Sequence, residues 1–139
     1  MLADGRPLAQ SNAILFHFAE GSALIPAEPY QRARMMEWMF WEQYSHEPYV
    51  AALRFHVKYL GRRPDEVDPK LIERSHGALR RLDQALTGTA FLVGDALSLA
   101  DIALVAYTRM APDGGLDLTP YAAVRAWVSR VEVVLNLAS

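Results

Sequence analysis

Apolar positions recur along this chain at helical spacing, separated by short stretches rich in polar residues, proline or glycine. In Leu8-Ala9-Gln10-Ser11-Asn12-Ala13-Ile14-Leu15 a polar pair opens an apolar run, which predicts a helix from about Ser11 to Glu20. Gly21 is its expected C-terminal stop, and the Ser11 hydroxyl is placed to cap its start. Residues 1–9 carry the turn signal Asp4-Gly5 and read as a strand remnant and a turn. Residues 21–29, with Pro26 and Pro29, read as a linker. A long helical pattern follows from about Glu28 to His46. Met35, Met36, Trp38, Met39, Phe40 and Trp41 make it apolar on almost every face, which predicts burial on several sides. Pro48 is expected to kink or break it, with helix resuming from Tyr49 to Leu60.

Gly61 to Pro69 reads as a polar loop. Asp68-Pro69 is a helix start, an N-cap with proline at the first helical position. Leu71, Ile72, Ser75, Ala78, Leu79, Leu82, Ala85 and Leu86 then form one stripe at the helical period, and Gly88 stops it. A nearly all-apolar helix is predicted from about Leu99 to Met110. After a loop at 112–120, Val124, Trp127, Val128, Val131 and Leu135 mark a last amphipathic helix. No internal repeat or low-complexity tract interrupts the series. The fold class expected is all-α, a bundle of about five or six helices.

A chain of 139 residues is long enough to bury a real core. Its net charge of −2 argues against a dedicated nucleic-acid binder, which usually shows a basic excess. The absence of cysteine excludes a disulfide framework, a CxxC redox pair and a thiolate zinc site. His17, His46, His56 and His76 are scattered, and no second histidine follows His46-Glu47 at metalloprotease spacing, so no metal site is expected. No phosphate-cradling glycine loop and no nucleophile elbow is present, and no residue stands out as catalytic. No run approaches the roughly 20 apolar residues of a membrane helix, and the first residues do not form a targeting segment. A soluble, cytoplasmic protein is the default expectation.

Ser98-Leu99-Ala100-Asp101 carries the clearest local signal. Ser98 fits an N-cap, and Asp101 stands three residues on, the spacing of a reciprocal capping box. Leu97 and Ile102 occupy the positions of a hydrophobic staple. A buried helix start cannot rely on water for its free N–H groups, so loss of either Ser98 or Asp101 is expected to cost about 1–2 kcal/mol.

The junction at Gln10-Ser11 and the form Gly94-Asp95-(x)2-Ser98-Leu99-Ala100-Asp101 together resemble the glutathione transferase family. Gln43-Tyr44-Ser45-His46-Glu47-Pro48-Tyr49 resembles a stretch of a bacterial branch of it. The resemblance implies that residues 1–20 are the end of a thioredoxin-like domain, 21–29 a linker, and 30–139 the helical C-terminal domain. It implies that Gln10 and Ser11 hold the γ-glutamyl end of glutathione, and that Trp38, Met39 and Tyr44 contribute a wall for a hydrophobic co-substrate. Glutathione would be a substrate; no cofactor is implied. The thiol-activating Tyr, Ser or Cys of the family, and its cis-proline loop, would lie before Met1. The chain is therefore expected to be a truncated, inactive form that assembles as a homo-oligomer, a dimer first of all. The alternative is a non-catalytic helical module for protein interaction or dimerisation. A third reading is an unrelated helical bundle in which Ser11 and Ser98 are plain caps. The stretch Val131 to Ser139 is more apolar than an ordinary tail and is expected to diverge from the family or pack on a partner.

Overall fold

The computed structural model describes residues 1–137; Ala138 and Ser139, the end of the apolar C-terminal stretch, lie outside the described residues. The described residues form six α-helices, α1 (Ser11–Ala19), α2 (Pro29–Trp41), α3 (Glu47–Arg54), α4 (Pro69–Leu86), α5 (Leu99–Thr108) and α6 (Ala122–Val134), with short 3-10 and π turns between some of them. Among the described residues there is no strand, and the single bridge pairs Phe91 with Gly94. Residues 1–9, expected to hold a strand remnant, instead close a turn in which Leu2 N–H donates to Arg6 O and Gly5 N–H to Leu2 O. A lone extended segment without a neighbouring strand has no ladder to join.

The segment from Pro29 to Tyr59 stays helical throughout, so Pro48 does not break it. The residues just before the proline widen into a π-turn, Glu42–His46, closed by Glu47 N–H donating to Glu42 O. Pro48 then falls in the first turn of α3, where its missing N–H is not needed. A second π-turn, Phe55–Tyr59, ends the segment. Nor is the segment buried on every side. Met35, Trp38 and Met39 are buried, whereas Phe40 is 68% exposed and Tyr44 81%. Glu28, rather than a residue inside the run, caps α2: its carboxylate accepts from Tyr30 N–H and Gln31 N–H.

α5 runs through the core. Leu99, Ala100, Asp101, Ala103, Leu104, Val105 and Thr108 are all buried, and the helices around them supply Met35, Trp38, Leu53, Leu79, Leu82, Val124, Trp127 and Val131. The start of α5 gathers hydrogen bonds from several parts of the chain. The fully buried Asp101 carboxylate accepts from Ser98 N–H and Ser98 Oγ–H, both at 2.9 Å through Oδ2. Its Oδ1 accepts from Leu92 N–H at 2.9 Å and from the Trp127 indole N–H of α6 at 2.8 Å. The first N–H of the helix, Leu99, donates to Leu24 O in the segment between α1 and α2 at 3.1 Å. One helix start thus ties together the 91–94 turn, α6 and the α1–α2 connection.

His46 lies at the other end of the core, fully buried against Trp41. Thr108 Oγ1 spends its hydrogen on Leu104 O at 2.7 Å, so the 3.0 Å contact with His46 requires His46 Nε2 to be the donor. Nδ1 is then a bare, buried nitrogen without a hydrogen-bond partner. Burial pushes the imidazole pKa down to about 4.

Two predictions follow from this core. Asp101→Ala strands the Leu92 and Trp127 N–H groups as well as opening the cap. Its cost rises from the 1–2 kcal/mol of a cap alone to about 3–5 kcal/mol, measurable by urea denaturation, with Ser98→Ala remaining near 1 kcal/mol. For His46, the unfolded ring takes its proton near pH 6.5 and the folded ring only near 4. Its contribution to stability is therefore full above about pH 6.5 and is lost as pH falls toward 4, by about 2 kcal/mol at pH 5. The same denaturation series at pH 7 and pH 5 should show that loss in the parent chain, and a smaller loss in His46→Gln.

Candidate functional site

α1 and α2 leave between them an open, largely apolar groove of about 690 Å³. Ala13 and Phe16 of α1 face Met36, Met39 and Phe40 of α2 across it, and polar groups, Gln10, Asn12 and Gln43, line it as well. Met36 and Phe40 are four residues apart on a helix and so share a face. The groove exists because α1 is held at one side only. Leu15, Phe16 and Ala19 pack toward the core, while Ser11 and Phe18 are exposed.

Gln10, not Ser11, occupies the N-cap position of α1, and no side chain caps this helix. Ser11 is its first helical residue. Gln10 adopts φ 71° and ψ 119°, a left-handed conformation that disfavours any residue with a Cβ and costs about 1–3 kcal/mol. The Gln10 carbonyl accepts from Ile14 N–H at 3.0 Å, closing the first helical turn. The N–H groups of the residues between them are the unsatisfied donors of a helix start. Together with the helix dipole they make a seat for a carboxylate.

Asn12 turns inward. Its Nδ2 donates to Met39 O and to Glu42 Oε2, both at 3.0 Å. The same Glu42 oxygen accepts from Gln43 Nε2 at 2.7 Å. Glu42 is 2% exposed, and its burial pushes the carboxyl pKa above the usual range, against the opposing effect of the Gln43 and Asn12 hydrogen bonds.

The residues singled out from sequence are distributed as follows. Gln10 and Met39 both line the groove, with Ser11 at the start of the helix that forms one side. Trp38 is buried behind the groove, its indole covered by the Arg81 guanidinium at 5.6 Å. Tyr44 is on the outer surface and does not line the groove. The π-turn between residues 42 and 46 changes the facing of every side chain after Trp41, which helical spacing alone does not foresee. Ser98 and Asp101 belong to the capping box of α5, in the core. Asn12, Glu42 and Gln43 were not identified from sequence. The one available signal was a carboxylate in the middle of an otherwise apolar run, Glu42 after Trp38-Met39-Phe40-Trp41. No group of three or more metal-ligating side chains occurs among the described residues, and none of the described helices is long and apolar enough to cross a membrane.

The family model described as "Glutathione S-transferase, C-terminal domain" matches residues 37–133. A crystal structure of a glutathione S-transferase from Pseudomonas fluorescens superposes with a TM-score of 0.90 at 45% identity, covering 94% of this chain and 66% of that one. A second, described as a possible glutathione S-transferase from Rhodopseudomonas palustris, gives 0.89 at 33% identity and covers 100% of this chain and 70% of that one. Among curated relatives, the Escherichia coli protein named disulfide-bond oxidoreductase YfcG is 30% identical over 91% of this chain and 60% of its own length. A maize protein named glutathione transferase GST 23 is 28% identical over 81% of this chain and 49% of its own length. The chain thus spans about half to three fifths of the length of these curated relatives.

Proposed function

We propose that this chain, which belongs to the glutathione S-transferase family, carries the γ-glutamyl half of a glutathione site at the start of α1 and an apolar wall for a second substrate along α2. The observation that carries this reading is the strained Gln10, held left-handed at an uncapped helix start that borders an apolar groove. A helix start left without a capping side chain has free donors, and the α-carboxylate of a γ-glutamyl group is a suitable acceptor. Ser11 offers its N–H and hydroxyl to that carboxylate, and Gln10 orients the neighbouring ammonium through its side-chain oxygen. Met39, with Met36 and Phe40 beside it, forms an apolar surface that adapts to varied ligands.

The reaction this reading assigns is attack of the glutathione thiolate on an electrophilic carbon. A C–S bond forms and the leaving group departs with its electron pair. The chain contains no cysteine, so any thiol chemistry at these residues runs through glutathione's own sulfur. Lowering the pKa of that thiol is the task of a separate part of the site, which these 139 residues do not supply. The chain taken alone therefore conjugates glutathione no faster than background. Calorimetry on the purified chain should show glutathione binding that is millimolar or tighter, and Ser11→Ala should weaken it at least about tenfold, the equivalent of one charge-assisted hydrogen bond. Equal binding by Ser11→Ala would contradict the assignment.

A second property is supported by the groove's exposed aromatic rim. Phe40, 68% exposed, and Met36, 38% exposed, share a face of α2 that the other described residues leave open. Exposed apolar surface of this kind marks an interface. Self-association of the chain through the α1 and α2 faces follows. Sedimentation at micromolar concentration should show a dimer or larger assembly that Phe40→Asp converts to monomer; a monodisperse monomer of the parent chain would refute it.

A further inference from the structure

The contact between Asn12 and Glu42 couples the first turn of α1 to the π-turn that follows α2. Glu42 is a carboxyl group with almost no solvent, and its partners here are two neutral amides, Asn12 and Gln43. Burying a carboxylate against neutral partners costs more than burying an apolar side chain of the same size. Packing therefore does not account for Glu42. A directional acceptor does. The two Nδ2 hydrogens of Asn12 find two acceptors on the neighbouring segment, Met39 O and Glu42 Oε2, which together fix the side chain's position. Asn12 immediately follows Ser11, so fixing it fixes the helix turn that presents the Gln10 and Ser11 groups. The hydrophobic anchors of α1, Leu15, Phe16 and Ala19, lie a turn or more further along and do not hold this end. Gln43, which lines the groove with Gln10, completes the path by donating to the same Glu42 oxygen.

We infer that Glu42 is a positioning residue of the glutathione half-site, acting through Asn12 to hold the first turn of α1 in its binding pose; this rests on the reading of Gln10 and Ser11 as the γ-glutamyl grip. Glu42 does not touch the ligand. It supplies a fixed acceptor for a side chain one residue from the site, and it keeps the conformationally costly Gln10 from relaxing.

The test uses the 139-residue chain and the variants Glu42→Leu, Glu42→Gln and Asn12→Ala. Glutathione affinity is measured by calorimetry, amide hydrogen exchange is followed at residues 11–14 and across α5, and Tm is recorded. Glu42→Leu and Asn12→Ala should each lose about fivefold or more in glutathione affinity, the equivalent of one hydrogen bond. Exchange at 11–14 should accelerate while exchange in α5 stays at the parent rate, and Tm should move little. Glu42→Gln keeps a carbonyl acceptor and should recover most of the affinity. A purely structural role predicts the opposite pattern, with exchange rising in α5 as well and Tm falling in step with affinity. That pattern, or parent-like binding by Glu42→Leu, overturns the role of Glu42 while leaving the γ-glutamyl reading in place. Absence of glutathione binding by the unaltered chain overturns that reading, and the role of Glu42 with it.

Discussion

Four donors converge on the Asp101 carboxylate, and the arrangement of the helices follows from that convergence. Ser98 supplies two, Leu92 one and the Trp127 indole one, all within 2.9 Å. A fully buried carboxylate is tolerable only when its lone pairs are occupied in this way. The donors belong to three different places in the fold: the start of α5, the turn before it, and the middle of α6. Hydrogen bonds to an ionised acceptor are stronger than neutral ones and more exacting in direction. The node therefore fixes where α6 and the 91–94 turn sit relative to α5. Leu99 N–H, one residue from Ser98, extends the same organisation to Leu24 and so to the connection between α1 and α2.

The second determinant is the uneven course of the helix from Pro29 to Tyr59. A regular α-helix through Pro48 would set the proline ring against the carbonyl of residue 44. Widening to a π-turn over Glu42–His46 removes the conflict and keeps the segment continuous. The same widening brings Glu42 and His46 inward and sends Tyr44 outward. Glu42 accepts from Asn12 of α1, and His46 meets Thr108 of α5. A local answer to one proline thus places both of the polar side chains that α2 and its extension bury. Such π-turns are frequent at functional sites, where they aim side chains that a regular helix would point elsewhere.

Much of the fold was legible because its signals are local. Asp68-Pro69 marks the start of α4, and the Ser98/Asp101 spacing marks that of α5, in each case within four residues of chain. The stripe from Leu71 to Leu86 reads directly as one face of a helix. The signals that failed depend on distant partners. Trp127 donates to Asp101 across 26 positions, and Asn12 to Glu42 across 30. Neither pairing leaves a trace in periodicity. The expectation that Ser11 caps α1 failed for a different reason: the backbone at Gln10 is left-handed, so the register of the helix starts one residue earlier than residue preference suggests. Burial of the 35–41 cluster was overestimated because apolar content cannot distinguish a face covered by this chain from one left open, as Phe40 is.

The central claim is that glutathione is held at the start of α1, beside the α1–α2 groove. Titrating glutathione into the isotopically labelled chain and following backbone amide resonances tests it residue by residue. The account predicts saturable shifts concentrated at Gln10, Ser11, Asn12 and Ala13, with smaller ones at Gln43 and none along α4 or α6. Shifts scattered over α4 and α6 with the first turn of α1 unmoved would contradict it.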